Sequence, residues 1–357
     1  MLSLRSLGFL AVVSAATLGA ACSAELKVSA TADPPREGDP TTDADGGAGG
    51  EGGTSATTGK RPVATKDVRL VVEPGDDGAS LIAAIKGAKK SVHMTMYLLS
   101  ADNVISALLD RQKAGVDVKV VLNKSFPQAG TDQNAVFTKL QNAGVGVTWA
   151  KNTLNFTHAK TVILDGQEAW IMTMNATFSA FRDNREYLAV DTDPKHVAQA
   201  EALFTLDYDG KSTGSTGDLV VAPSTARPML LALIDSAKDS VDVEVEAISD
   251  DEIVAALGRA VDRGCKVRVI VADNSDTPNE ADAHAALQQK GIGFKRVTKP
   301  YIHAKAIVVD GETAFVGSEN LTTNSLLSNR EIGVIFDVAS EVQKLASSID
   351  ADYAAGH

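Results

Sequence analysis

The spacing of apolar and polar positions predicts strands that alternate with helices through most of the chain. Short runs rich in β-branched residues predict strands, and apolar residues three or four positions apart predict the helices between them. In the first half, strands are predicted over residues 68–72, 92–98, 116–122 and 145–150, and helices over 81–88, 104–109 and 135–143. This order is typical of an α/β sheet with helices on its faces.

The same pattern begins again after a segment rich in Gly, Ser and Thr, residues 209–217, which predicts a joint. Corresponding positions in the two halves are 149 residues apart. They are Ile82 and Leu231, Ile85 and Ile234, Ser91 and Ser240, and Gly115 and Gly264. The separation decreases to 145 further along, as expected if loops differ in length while the elements persist. The sequence therefore predicts a duplicated domain, with halves at residues 64–209 and 217–357.

A group of polar residues also occurs twice, at a constant separation of 145 positions. The first copy contains His158, Lys160, Asp165, Asn175, Arg185 and Glu186, and the second contains His303, Lys305, Asp310, Asn320, Arg330 and Glu331. Core packing favours matched apolar positions, so a polar repeat indicates chemistry. Each His and Lys are two positions apart at a predicted strand and share one face, and Asp-Gly predicts a hairpin turn after that strand.

The N-terminal region has the features of an export signal. Arg5 precedes an apolar stretch from Leu7 to Ala21 that is too short to span a membrane. The residues before Cys22 resemble a bacterial lipoprotein processing site, although Leu18 lies four rather than three positions before the cysteine. We expect an exported protein that is lipidated at Cys22 and anchored to a membrane, with a secreted soluble protein as the alternative. Residues 22–63 predict a flexible linker.

Composition limits the class of protein and of ligand. The chain has 357 residues, 44% of them hydrophobic, which fits two core-forming units. Its net charge of −12 argues against a polynucleotide substrate, although a local basic cleft remains compatible with one. The two cysteines, Cys22 and Cys265, imply no disulfide framework. The remaining histidines lack metal-ligand spacing, so we predict no metal and no cofactor.

The repeated group resembles a known family signature. The pattern His303-x-Lys305-x4-Asp310-x6-Gly317-Ser318-x-Asn320 is similar to that of the phospholipase D superfamily. The first copy departs from it, with Met172 and Thr173 in place of the Gly and Ser. The resemblance implies two tandem homologous α/β/α sandwich halves related by a pseudo-twofold axis. It also implies one site that contains both motifs and cleaves phosphodiesters without metal, so that a monomer suffices.

The repeated residues suit phosphodiester chemistry. Two ammonium groups, Lys160 and Lys305, and the amides of Asn175 and Asn320 could stabilise negative charge on the phosphate oxygens. One imidazole could attack phosphorus while a second protonates the departing alcohol and then activates the incoming water. The resemblance implies that His158 is the nucleophile, forming a phosphohistidine, and that His303 is the acid and base. The reverse assignment is the alternative, because the halves are nearly symmetric.

Other members of the repeat are expected to support the reacting groups. Glu186 and Glu331 each follow their histidine by 28 positions, as does the supporting acid in the small bacterial nuclease branch of the family. In the alternative interpretation, each of these glutamates forms a surface ion pair with the neighbouring arginine. The remaining supporting candidates are Asp165 and Asp310 in the turns, the hydroxyls of Thr173 and Ser318, and Phe156 and Tyr301, which could rim the pocket or pack in the core.

These features predict an exported phospholipase D-like enzyme that hydrolyses phospholipid head groups at a membrane surface. A nuclease of the same superfamily is the first alternative, and salt-sensitive DNA cleavage would distinguish it. A phosphatidyl transferase is a second alternative, because it would share the phosphohistidine. A non-catalytic binder of phosphorylated ligands is the third, although binding alone has no use for paired imidazoles.

Overall fold

The computed structural model describes residues 61–124, 133–150, 154–211 and 217–357. The first half forms a sheet in the order β1-β7-β6-β5-β2-β3-β4. Its strands are β1 Val68–Glu73, β2 Ser91–Met96, β3 Asp117–Leu122, β4 Gly146–Trp149, β5 Lys160–Leu164, β6 Glu168–Met172 and β7 Asn184–Asp191. Its helices are α1 Ala79–Gly87, α2 Asp102–Lys113, α3 Gln133–Asn142, α4 Phe178–Arg182 and α5 Pro194–Asp209.

The second half repeats this topology, with its sheet in the order β8-β15-β14-β13-β9-β10-β11. Its strands are β8 Val220–Ala222, β9 Ser240–Val245, β10 Lys266–Ala272, β11 Gly293–Val297, β12 Tyr301–Ile302, β13 Lys305–Val309, β14 Thr313–Gly317 and β15 Glu331–Phe336. Its helices are α6 Ala226–Asp235, α7 Asp251–Asp262, α8 Pro278–Gln289, α9 Thr323–Ser328 and α10 Ala339–Ala355. The short strand β12 pairs with β7 of the first half.

Local sequence signals explain where several elements begin and turn. Helix α8 starts with a capping box in which Thr277 and Glu280 each bond the other's backbone N–H. Helix α5 starts with an Asp193 cap followed by proline. The predicted Asp-Gly turns join β5 to β6 and β13 to β14, with φ 57° and 55° at Asp165 and Asp310. Aspartate tolerates this left-handed conformation better than most residues do.

Within the ranges that the structure describes, apolar side chains pack into three clusters. One cluster lies within each half, between its sheet and its outer helices. The third contains residues from both halves, including Ile163 and Leu203 of the first and Val308 and Leu345 of the second. A core shared between two sheets holds the halves in one fixed arrangement.

The predicted fold class is confirmed: two tandem α/β halves, each a mixed sheet flanked by helices. The predicted strand over residues 92–98 ends at Met96 because Leu98 and Leu99 pair with Ala176 instead. The signal over residues 1–21, Cys22 and nearly all of the predicted linker lie outside the described residues, so these stay predictions. Among the helices that the structure describes, none has the length and hydrophobicity to cross a bilayer.

Candidate active site

The two histidine motifs meet where the halves cross. In the first half, Thr157 bridges to Arg330, and the backbone N–H of His158 donates to the Arg330 carbonyl at 2.9 Å. The second half repeats this pattern through β12, and the backbone N–H of His303 donates to the carbonyl of Arg185 at 3.3 Å. Each motif is therefore anchored on the arginine of the opposite half's repeat, Arg330 or Arg185.

This crossing pairs each histidine with the glutamate of the other half. Nδ1 of His158 lies 2.9 and 3.0 Å from the two carboxylate oxygens of Glu331. Nδ1 of His303 lies 2.8 Å from Oε1 of Glu186. An ionised carboxylate only accepts hydrogen bonds, so Nδ1 carries the hydrogen and Nε2 faces the reaction. The two glutamates thus orient the two imidazoles across the interface.

Glu331 is held as an anion although it is fully buried. Burial raises the pKa of its carboxyl, but His158, Lys160 and the Ser318 hydroxyl together bring the pKa below its usual value. Ser318 donates at 2.7 Å and Ser325 at 2.8 Å. In the first half, Glu186 accepts from Thr173 at 2.5 Å and from Asn184 at 3.1 Å. The predicted hydroxyl residues therefore contact the glutamates.

The arginines beside these glutamates have other partners. Arg330 is fully buried and its Nε lies 3.1 and 3.2 Å from the Asp207 carboxylate of the first half. Arg185 pairs with Asp352 of the second half at 2.5 Å. The alternative in which Glu186 and Glu331 form surface ion pairs with neighbouring arginines is therefore wrong. The arginines instead form two symmetric ion pairs across the interface.

Both motif lysines are fully buried, but they meet different groups. Nζ of Lys160 donates to the His158 carbonyl at 2.5 Å and lies 5.1 Å from the ring centre of Tyr97. Nζ of Lys305 donates to the His303 carbonyl at 2.6 Å and to Oε2 of Glu246 at 3.0 Å. One ammonium therefore lies against a ring and the other against a carboxylate.

The motif asparagines and aspartates occupy different positions. Asn175 is buried, whereas Asn320 is half-buried and donates to Oε2 of Glu246 at 3.3 Å. The carboxylates of Asp165 and Asp310 accept from backbone N–H groups of the loops before β2 and β9. Burial raises the pKa of each aspartate, but these N–H donors bring it below its usual value. The aspartates are thus bound to loop backbone, as expected for support of the motif.

Glu246 and Tyr97 were missed by the sequence reasoning. They follow β9 and β2 directly and lie at the same separation of 149 positions as Ser240 and Ser91. Extending that alignment by six residues would have found the pair. Tyr301 was expected either at the rim of the pocket or in the core. Its hydroxyl donates to Oε1 of Glu246 at 3.2 Å.

The Met-for-Gly difference between the motifs affects the packing behind them. Met172 is buried in the first half's core cluster. Gly317 lies against Glu319 and Gly333, and a Cβ there would collide with the Glu319 carboxyl. Burial, and then the charge of Glu331, raise the pKa of Glu319 well above its usual value. Gly317 and Gly333 make room for this buried carboxyl. In the described residues no group of three or more His, Cys, Asp or Glu side chains could hold a metal ion.

Comparison with known proteins assigns the family. The family described as cardiolipin synthase, PLD-like domain, matches the chain twice, over residues 81–208 and 230–353. A cardiolipin synthase of Alkalihalophilus pseudofirmus is 24% identical over 336 residues, covering 81% of this chain and 66% of the relative. A cardiolipin synthase of Geobacillus kaustophilus is 23% identical over 345 residues, covering 83% and 68%. The chain thus spans about two thirds of the length of these relatives.

Solved structures share the fold. Phosphatidylserine synthase of Haemophilus influenzae matches with a TM-score of 0.62 and 10% identity, covering 85% of this chain and 89% of that one. Polyphosphate kinase of Porphyromonas gingivalis matches with a TM-score of 0.61 and 15% identity, covering 79% of this chain and 46% of that one. At these identities the likeness supports the α/β two-domain fold alone.

These comparisons correct the predicted reaction. The matching relatives are named for the synthesis of cardiolipin, so the prediction of a hydrolase that degrades lipid is wrong. Hydrolysis and transfer differ only in whether water or an alcohol reacts with the phosphohistidine. The motif residues are the same for both, which is why the sequence pattern could not separate them.

Proposed function

The chain belongs to the family of cardiolipin synthase, PLD-like domains, and from this premise we propose that it is a phosphatidyl transferase. It moves a phosphatidyl group from one phospholipid to an alcohol through a phosphohistidine. Cardiolipin consists of two phosphatidyl groups joined by one glycerol. A reaction of the type named for the relatives therefore joins a phosphatidyl donor to the free head-group hydroxyl of phosphatidylglycerol.

The observation that carries this proposal is the crossed pairing of two histidines with two glutamates. His158 with Glu331 and His303 with Glu186 provide two oriented imidazoles within the same chain. A displacement by way of a covalent intermediate needs two such groups, one to bond phosphorus and one to carry the proton. A binding protein needs only the positive charge.

In the first step, Nε2 of His158 attacks phosphorus and a P–N bond forms. The bond between phosphorus and the head-group oxygen breaks, and His303 gives its Nε2 proton to that oxygen. Lys160, Asn175 and the partly neutralised Lys305 stabilise the charge that develops on the non-bridging oxygens. The products are a phosphatidyl-histidine and the free head-group alcohol.

In the second step, the acceptor alcohol takes the place of the departed one. His303, now neutral, accepts the hydroxyl proton while the oxygen attacks phosphorus and the P–N bond breaks. His158 returns to its neutral form with the hydrogen on Nδ1 toward Glu331. The reaction is an exchange of one phosphodiester for another, so it needs no external energy source.

Vesicles of phosphatidylglycerol, which supply both donor and acceptor, provide the test. We expect the full chain to form cardiolipin and one glycerol per cardiolipin in the presence of EDTA. His158→Ala and His303→Ala should reduce the rate by at least about 10³-fold, as loss of a general acid–base or nucleophilic group does.

Other products would overturn the proposal. Phosphatidic acid without cardiolipin would mean that water is the acceptor, and nicking of plasmid DNA that requires both histidines would indicate a nuclease. Binding of the vesicles without turnover would indicate a binder. A rate unchanged by both substitutions would exclude the two-histidine reaction.

A further inference from the structure

The residue that directly follows β2 differs from the residue that directly follows β9. Strands β2 and β9 pair with β5 and β13 in the same register, with Met96 opposite Lys160 and Val245 opposite Lys305. The next residue is Tyr97 in the first half and Glu246 in the second. An aromatic ring thus lies beside one motif where a carboxylate lies beside the other.

Glu246 is enclosed by the second half-site. Oε2 lies 3.0 Å from Nζ of Lys305 and 3.5 Å from Nε2 of His303. Asn320 donates to the same oxygen, and Tyr301 donates to Oε1. Burial raises the pKa of the Glu246 carboxyl, but the charges of Lys305 and His303 outweigh it and lower the pKa to about 2. Glu246 therefore places a carboxylate charge beside His303.

His303 consequently lies between two carboxylates, with Glu186 of β7 at Nδ1 and Glu246 at the end of β9 at Nε2. The third charged group is Lys305 on β13, whose ammonium donates to the carbonyl of His303 itself. The two carboxylates lie beside the two ring nitrogens and outnumber the single ammonium, so together they favour the imidazolium form of His303.

His158 has a different environment. Its Nδ1 meets Glu331, and its ring packs edge-on against Tyr97 with the ring centres 4.6 Å apart. The tyrosine at this position adds no formal charge beside the imidazole. The neutral imidazole with a lone pair on Nε2 is the form that attacks phosphorus.

We infer that Glu246 is a positioning residue that assigns the two histidines their roles. It holds the proton on Nε2 of His303, which makes His303 the acid of the first step, and it leaves His158 to act as the nucleophile. It also forms an ion pair with the ammonium of Lys305. This inference rests on the proposed transfer reaction and breaks the near symmetry of the motifs.

The pH dependence of Glu246→Gln tests the inference. Glutamine has the same shape and can still accept from Tyr301 and Lys305, but it has no charge. The measured quantity is kcat/KM for cardiolipin formation from phosphatidylglycerol vesicles as a function of pH. The basic limb of this profile, where kcat/KM falls at high pH, reports loss of the proton from the acid. We expect this limb to move to lower pH by about one unit, as removal of a charge this close does. Glu246→Asp keeps the charge and should keep the limb near its wild-type position.

Tyr97→Phe is the matched variant in the other half. It removes no formal charge, so its basic limb should not move even if its rate falls. An unmoved limb in a folded Glu246→Gln protein would overturn the inference, because a purely structural role changes the rate and not the limb. If Glu246→Gln does not fold, ¹⁵N NMR of the histidine-labelled wild-type chain decides. Both ring nitrogens of His303 should carry protons at neutral pH, and a neutral His303 would contradict the assignment.

The two proposals fail in different ways. A wild-type protein that forms no cardiolipin would contradict the proposed function, while the NMR result would still report on Glu246. Wild-type cardiolipin formation with identical basic limbs in the wild type and Glu246→Gln would contradict only the role of Glu246.

Discussion

The two halves share one backbone plan but provide unequal half-sites. In both, the motif histidine is bound to the opposite half's glutamate and the motif aspartate to a loop backbone. They differ directly after β2 and β9, where Tyr97 faces Lys160 and Glu246 faces Lys305. Duplication thus provides two imidazoles, and the difference between Tyr97 and Glu246 gives them different charged surroundings.

The crossed arginine pairs should give the largest difference in stability between the halves. Arg330 is fully buried with Asp207, whereas the Arg185 side chain is 13% exposed beside Asp352. Arg330→Met would leave a buried carboxylate without its partner, which costs about 3–5 kcal/mol in free energy of unfolding. Urea denaturation should show a smaller loss for Arg185→Met. Equal losses would mean that the two pairs stabilise the interface equally.

The lysines should separate catalysis from stability. Lys160→Met should reduce kcat/KM for phosphatidyl transfer by about 10²–10³-fold, the size expected for loss of one preorganised positive group. Lys305→Met should reduce it less, because Glu246 already neutralises part of that charge.

Lys305→Met should instead lose more stability, because it leaves the buried Glu246 carboxylate without its cation. Kinetics on phosphatidylglycerol vesicles and thermal melts of both variants provide the comparison. A larger rate loss in Lys305→Met than in Lys160→Met would place the phosphate on the second half-site.

The crossed glutamates can be told apart with a donor that carries a good leaving group. Phosphatidyl 4-nitrophenol needs no proton on departure, so the first turnover does not depend on an acid. Glu331→Gln, which acts through His158, should slow the burst of nitrophenol by about 10²-fold. Glu186→Gln, which acts through His303, should leave that burst nearly intact. The opposite result would mean that His303, which Glu186 orients, is the nucleophile.

The turn aspartates should give the smallest effect. Asp165→Ala and Asp310→Ala remove carboxylates that accept backbone hydrogen bonds, at a cost of about 1–3 kcal/mol near pH 7. Burial raises the pKa of both groups, and backbone donors lower it to a net value below that of the unfolded chain. Their stabilisation is therefore present above the unfolded pKa of about 4 and lost as the pH falls through the folded pKa.

Denaturation midpoints measured between pH 7 and pH 3 check this prediction. Each variant should approach the wild type at the acidic end. Asp310→Ala should lose more than Asp165→Ala, because Asp310 also pairs with Arg61 at 2.6 Å. A difference from the wild type that stays constant down to pH 3 would exclude the carboxylate charge as the cause.

Local sequence patterns were enough to predict most of the fold and to choose the motif residues. Period-two runs and the Asp-Gly turns predicted the hairpins of β5–β6 and β13–β14 because these depend on neighbours in sequence. The crossing of Glu331 to His158 depends on how two sheets pack, which a spacing of 28 residues does not contain. Glu246 was missed because it lies 57 residues before His303, outside the motif. Extending the alignment of the two halves at their separation of 149 residues would have found it.

Covalent trapping tests the unequal roles most directly. Rapid-quench mass spectrometry of His303→Ala with phosphatidyl 4-nitrophenol should show a phosphatidyl group on the peptide that contains His158. The leaving group needs no acid, and the missing base slows the second step, so the intermediate should accumulate. His158→Ala should give no adduct. An adduct on His303 in His158→Ala, with none in His303→Ala, would contradict the assignment of nucleophile and acid.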